Sequence, residues 1–444
     1  MTMMKDGYRI LWMALVSRCI TLGLILVQDA LFQDLSTSSH LQYYPCHGDV
    51  SGTQIRSWWL DTMESIIPWD GVYFMRIAQC GYESDQIFAF FPLLPAIMRG
   101  SGEVFKLFYT ACFREDAPME YMRFVFGLSG FSVNIVAFCG AALCLHRLGQ
   151  MVVKDKAVVA LAVLLFCWNP ASVFYSAVYT ESLFAFCTWM GLIRVLESQR
   201  SYWTGVVWFA LASSSRSNGI LAVWFLLHTY MTDVMYSRQS ILTGLVRTLA
   251  GSVVVCLPYV CMQAYGYFLF CRQGDDSPPW CHATVPSIYG YIQHKYWDVG
   301  FLNFYEKLIR LPFVVQSLPV IALSVAACWT WTWTSVKRAF SLGLINLSPE
   351  KINTIRRKMK HSCCIVEPGV APFVFHLALM TAVATFVMHV NVATRFLSSS
   401  PLVFWYAAQR MLNGSYTQQY IVWLWFLSYI LVGTLMFGNF YPWT

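Results

Sequence analysis

Residues 8–28 (YRILWMALVSRCITLGLILVQ) open a series of long apolar runs. At about 1.5 Å per residue this run is long enough to cross a hydrocarbon core of roughly 30 Å. Further runs recur near 88–112, 121–146, 157–170, 176–194, 203–231, 244–271, 311–333, 368–392, 395–410 and 418–438. The pattern predicts an all-α polytopic membrane protein, a single integral membrane unit over 1–444, with about 11 transmembrane helices. The count ranges from roughly 8 to 12, because Lys154, Lys156, Asn169-Pro170 and Arg216 blur the boundaries between 147 and 215. The first run carries Arg9 and Arg18 and lacks a small-residue cleavage site, so it reads as an uncleaved span. Several runs are interrupted by Pro, Gly or Asn, and broken helices at membrane depth are tolerated only against protein or a water-filled cavity.

Between the runs lie two long polar connections. In residues 29–87, the stretch RSWWLDTMESIIPWDGVYFMRIAQCGY alternates apolar and polar positions at helical spacing, predicting amphipathic helices on the membrane surface. Residues 272–310 are rich in aromatics and contain Pro278-Pro279, which fits a cap resting at the interface. The segment 334–367 is different: Lys337, Arg338, Lys351, Arg356, Arg357, Lys358 and Lys360 face only Glu350 and Glu367. Positive residues of this kind mark a cytosolic loop, which places the two aromatic-rich connections on the lumenal side. Of two glycosylation sequons, Asn346-Leu347-Ser348 then falls in the cytosol and Asn413-Gly414-Ser415 in a short cytosolic turn.

Composition agrees with this reading. The 444 residues are 57% hydrophobic and 12% charged, with a mean hydropathy of +0.51; a soluble domain carries about 25% charged residues. The net charge of +7 sits in short segments between apolar runs, a positive-inside pattern that argues against nucleic-acid binding. Most of the fifteen cysteines lie inside apolar runs, whereas Cys46, Cys80, Cys271 and Cys281 fall in the polar connections. In an oxidising lumen one disulfide is expected among those four, with the pairing open. Phosphate-cradling, nucleophile-elbow and zinc-protease motifs are absent, as is a DxD in the first polar connection, so no metal site is expected.

Polar and charged residues at membrane depth are functional candidates by default. Pro68-Trp69-Asp70-Gly71 places an acid among aromatics at the mouth of the bundle, either as a general base for a hydroxyl or as an ordinary helix cap. FAFFPLLPAIMR, residues 88–99, either opens a groove at Pro92 and Pro95 or simply kinks a helix. Glu181 and the Arg216-Ser217-Asn218 segment either pair with each other or line a polar cavity for phosphate or sugar. His389, Asn391 and Arg395 lie between two apolar runs, where Arg395 is either a phosphate fork or a snorkelling interfacial residue.

These residues also carry a resemblance. WDGVYFMRIAQCGY (69–82) with FAFFPLLPAIMR, NPASVFYSAVYTESLFA (169–185), RSNGIL (216–221), PPWC (278–281) with IQHKYWDVGFL (292–302), and MHVNVATRFLSSSP (388–401) resemble the PIG-V family of GPI mannosyltransferases, in family order over nearly the whole chain. The resemblance implies a GT-C-like bundle in the endoplasmic reticulum membrane with a lumenal active site. It implies inverting, metal-independent transfer of a second, α1,6-linked mannose from dolichol-phosphate mannose to the mannosyl-glucosaminyl-phosphatidylinositol intermediate, with no cofactor beyond the lipid-linked donor. A small membrane accessory subunit stays open. Asp70 falls on the family's Trp-Asp acid, the implied base, with Trp69 beside it. Glu181, Arg216, Asn218, His389 and Arg395 fall on motifs implied to hold donor phosphate and sugar. Two positions depart from the pattern: Gly71-Val72-Tyr73 is less polar than expected, and Asn391 stands where Gln is usual. The alternatives are another dolichol-phosphate-sugar transferase of the same type, or a transporter or scramblase, which broken helices and buried charges would also suit.

Overall fold

The computed structural model describes residues 2–35, 46, 63–272, 277–357 and 367–443. Residues 36–45 and 47–62, which include the beginning of the stretch expected to form surface helices, and Lys358 and Lys360 of the basic loop lie outside the described residues. Every element formed by an expected apolar run is helical, and the two polar connections add one longer helix each. In chain order these are α1 (Thr2–Leu31), α2 (Asp70–Cys80), α3 (Leu93–Phe113), α4 (Met119–Val152), α5 (Lys156–Cys167), α6 (Glu181–Glu197), α7 (Tyr202–Ser215) and α8 (Val223–Met235). After them come α9 (Ile241–Phe270), α10 (Ile288–Trp297), α11 (Leu311–Thr334), α12 (Ala371–Phe386), α13 (Pro401–Asn413) and α14 (Tyr416–Gly438). Six described helices are long and apolar enough to cross a membrane, including those built on α1, α4, α9, α11, α12 and α14.

Five of the expected runs, near 88–112, 157–170, 176–194, 203–231 and 395–410, form helices that are not among these six, and two of them depart in path from a single crossing. The run near 88–112 becomes α3, which carries Arg99, Glu103 and Lys106 and is not among the six. It folds back antiparallel on the start of α4: Gly130 meets Met98, Gly102 meets Phe126, and Tyr109 lies 6.1 Å from Tyr121. Pro95 does not kink it, because it sits in the first turn where a missing N–H is harmless. The run at 203–231 is not one helix but a hairpin of α7 and α8, whose far ends come together where Gln199 donates to Asp233 at 2.7 Å. Its tip, residues 216–222, is closed by Gly219, whose hypothetical Cβ would lie 2.5 Å from the Ser213 Cα.

Chain breaks in the bundle interior are held by side chains, as a medium without water requires. Between α5 and α6 the chain runs irregularly through residues 168–180, almost wholly buried. Asn169 turns the chain, donating to Phe166 O at 2.7 Å and accepting from Ala171 N at 2.8 Å. Arg18, 1% exposed in the middle of α1, donates to Cys167 O (2.8 Å), Ser172 O (2.7 Å) and the Ser172 and Ser176 hydroxyls, with Phe138 against its face. It satisfies carbonyls that the end of α5 leaves open. A third break, between α12 and α13, contains the 389–395 segment.

The two ends of the bundle differ. One holds α2, α10 and the disulfides Cys46–Cys80 and Cys271–Cys281. Both pairs form, one more than the sequence required. At the other end lie the Arg147–Glu197 pair, Lys154 near Glu367, Arg238 near Asp233 and the Asn346 amide, which donates to the Tyr236 hydroxyl at 3.1 Å. The chain enters the basic segment from α11 and leaves it into α12 at this same end.

Candidate active site

The three chain breaks and the start of α2 converge on one cavity of about 440 Å³. Asp70 enters it because Trp69, immediately before α2, adopts φ 55° and ψ −115°, a backbone conformation that side chains other than glycine rarely accept. Strain of this kind costs about 1–3 kcal/mol and persists only where the surroundings enforce it. Here the Asp70 N–H donates to the buried Tyr179 hydroxyl at 3.0 Å, which fixes the turn. That contact supplies the hydrogen-bond partner that the apolar Gly71-Val72-Tyr73 sequence lacks.

Four ionised side chains form a continuous chain along the cavity wall. Asp70 Oδ2 accepts from Arg395 Nη1 at 2.7 Å, and the same Nη1 lies 3.7 Å from Glu181 Oε1. Glu181 Oε1 in turn accepts from Arg216 Nη1, which also reaches the Thr180 hydroxyl at 3.3 Å. Glu181 opens α6 at the end of the buried 168–180 segment, Arg216 is at the hairpin tip, and Arg395 is in the α12–α13 break. The Arg395 guanidinium rests on the rings of Phe174 (5.3 Å) and Tyr179 (5.6 Å). The formal sum of the four charges is zero, so the buried group is tolerated without an isolated ion.

The predicted residues therefore come together, with distinctions the sequence did not draw. Asp70, Arg216, Asn218, His389 and Arg395 line the cavity. Glu181 stands behind Arg216, its side chain 2% exposed: it both pairs with the arginine and presents it to the cavity. Trp69 packs on the hydrophobic core beside the cavity, its indole N–H without a partner among the described residues. His389 faces the Phe304 ring at 5.0 Å, and its Nε2 has no described partner.

The aromatic connections supply residues not singled out from sequence. Phe90 and Phe91, just before Pro92, form one wall, so the FAFFP segment does open a groove. Tyr289, Gln293 and Trp297 on α10 form the roof. Tyr289 exchanges a 2.7 Å hydrogen bond with Ser217, and Trp297 meets Phe90 edge-on at 6.2 Å. The roof is tied down where Asp85 accepts from Tyr296 (2.8 Å) and Lys295 (3.2 Å). The aromatic richness of the 272–310 segment and the IQHKYWDVGFL motif at 292–302 were the sequence signs of this role. The remaining wall is apolar: Leu221, Tyr259, Val383 and Val387 lie between α9 and α12.

Such a site pairs one proton acceptor with two guanidiniums suited to an anion and adds an apolar side and sugar-sized polar space. The sequence profile described as "Mannosyltransferase (PIG-V)" matches residues 7–444. The chain is 31% identical to GPI mannosyltransferase 2 of Drosophila pseudoobscura pseudoobscura, covering 87% of this chain and 89% of that protein. It is 34% identical to GPI alpha-1,6-mannosyltransferase 2 of Homo sapiens over 77% of this chain and 72% of that protein. With GPI mannosyltransferase 2 of Schizosaccharomyces pombe it shares 26% identity over 85% and 73%, respectively.

Proposed function

Because this chain belongs to the PIG-V mannosyltransferase family, we propose that it adds an α1,6-linked mannose to the mannosyl-glucosaminyl-phosphatidylinositol intermediate of GPI-anchor assembly, taking the sugar from dolichol-phosphate mannose. The observation that carries this reading is Asp70 beside two guanidiniums in a cavity with one apolar side. Asp70 takes the proton of the acceptor 6-hydroxyl as that oxygen attacks the anomeric carbon. Arg216, the more exposed of the two arginines, offsets the charge that develops on the departing dolichyl phosphate, so the reaction needs no metal or cofactor. Asn218 and His389 offer polar atoms to the sugar hydroxyls, and the Leu221–Val387 wall suits the start of a prenyl chain. A single displacement on a β-linked donor yields the α product, with inversion.

The two disulfides at the cavity end support an oxidising, lumenal setting, and the endoplasmic reticulum follows from the GPI pathway. The same orientation predicts that Asn346, at the far end, carries no glycan. A glycosidase-sensitive shift on gels that disappears in Asn346→Gln would overturn it. The direct test of function is lipid analysis of cells lacking the protein. The expected result is accumulation of the one-mannose GPI intermediate with normal N-glycans. Truncated N-glycans with intact GPI lipids would instead indicate a different dolichol-linked pathway.

A further inference from the structure

We propose that donor phosphate binding at Arg216 releases Asp70 to act as base, by a partner exchange passed through Glu181 and Arg395. The proposal rests on the reading of Asp70 as the base and adds a coupling between the two substrates' sites. Asp70 Oδ2 is held by Arg395 at 2.7 Å, and a guanidinium in that position occupies the oxygen that would take the acceptor's proton. The same Arg395 nitrogen is 3.7 Å from Glu181 Oε1, so a small movement exchanges one acid for the other.

Four features favour that exchange once an anion arrives. Glu181 is 2% exposed and its Oε2 has no partner among the described residues, so it has unused acceptor capacity where water cannot supply donors. Arg395 Nε is likewise buried without a described partner, leaving a second donor to complete a fork on Glu181. Its guanidinium lies on the Phe174 and Tyr179 rings, a surface along which it shifts without losing its cation–π contacts. Arg216 is the more exposed of the two arginines, 18% against 12%, and reaches the cavity from the hairpin tip.

The sequence of events is then determined by charge. The sugar phosphate, a monoanion, competes with Glu181 for Arg216. Glu181, losing its partner, draws Arg395, and Asp70 Oδ2 becomes free. The acceptor O–H gives its proton to Asp70 while its oxygen forms the bond to the anomeric carbon. The carbon–oxygen bond to phosphate breaks, and its electron pair remains on the phosphate, now a dianion against Arg216. Asp70 Oδ2 stays occupied by Arg395 until a donor is present, which disfavours premature deprotonation.

Glu181→Gln tests the coupling in the purified full-length enzyme, with a short-chain polyprenyl-phosphate mannose as donor and the one-mannose glycolipid as acceptor. Glutamine keeps the shape but cannot draw Arg395 by charge. The expected result is a kcat about 100-fold lower with a donor KM no higher than wild type, partly recovered in Glu181→Asp. A near-normal kcat, or a raised donor KM with kcat intact, overturns the coupling and leaves Glu181 as a simple support for Arg216. If Glu181→Gln does not accumulate, Glu181→Asp is judged on the same two constants, with donor KM unchanged and kcat about tenfold lower expected. An active Asp70→Asn enzyme would remove the base itself; an inactive one beside a normal Glu181→Gln removes only the coupling.

Discussion

Asp70→Asn is expected to lower mannosyl transfer by about 10²–10⁴-fold while the protein accumulates normally. Asparagine has the same outline, so its backbone N–H can still donate to Tyr179 and its side-chain oxygen can still accept from Arg395. What it cannot do is take a proton. The effect should therefore appear in turnover rather than in folding, and membrane levels and thermal stability should stay near wild type. Asp70→Glu is informative beside it: the longer side chain keeps the charge but pushes the carboxylate past the position set by the Trp69 turn. Both can be read in cells lacking the native protein by surface levels of GPI-anchored proteins. Normal surface display with Asp70→Asn as the only copy would eliminate this residue as the base.

The second large effect is expected far from the reacting atoms. Arg18→Leu removes the guanidinium that satisfies Cys167 O and Ser172 O behind the 168–180 segment. Cys167 O then loses its donor while Ser172 O keeps only the Ser176 hydroxyl at 3.1 Å, and a buried carbonyl left without a donor costs about 1–3 kcal/mol, a sizeable share of a domain's stability. The segment they belong to carries Tyr179 and leads into Glu181, so loss of its shape also displaces the site. The expected outcome is sharply reduced protein in membranes and a lower melting temperature in detergent. Arg18→Lys, with one charged head in place of a fork, should fall between the two. An Arg18→Leu protein that accumulates and melts like wild type would show that the carbonyls have other donors.

Much of this arrangement was legible in the sequence because membrane depth makes polar residues conspicuous. Asp70, Arg216, Asn218, His389 and Arg395, chosen for being charged or polar near apolar runs, line one cavity, with Glu181 directly behind it. The Glu181–Arg216 pairing was one of two readings open in the sequence, but the pairing of Asp70 was not legible. The Asp70–Arg395 bond joins positions 325 apart in the chain, and no local period records which arginine faces which acid. The Cys46–Cys80 and Cys271–Cys281 partners were hidden for the same reason. Hydropathy also failed at α3 and at the α7–α8 hairpin, since an average over a window does not register a helix folding back. At α3 three charges were the available warning; at the hairpin it was Arg216 with Gly219, a charge and a tight turn in mid-run.

The hairpin also constrains how the chain is made. Helices α7 and α8 have 14 and 13 residues, against about 20 for a segment that crosses the bilayer alone. Neither half is a competent span during synthesis, and the arginine at their junction adds a few kcal/mol to the cost of leaving it in lipid. The two must therefore leave the insertion machinery as a pair, with the earlier-made α6 already present to offer Glu181 as a counter-ion. Lengthening the turn at 216–222 would thus disturb membrane integration before any effect on turnover could be seen.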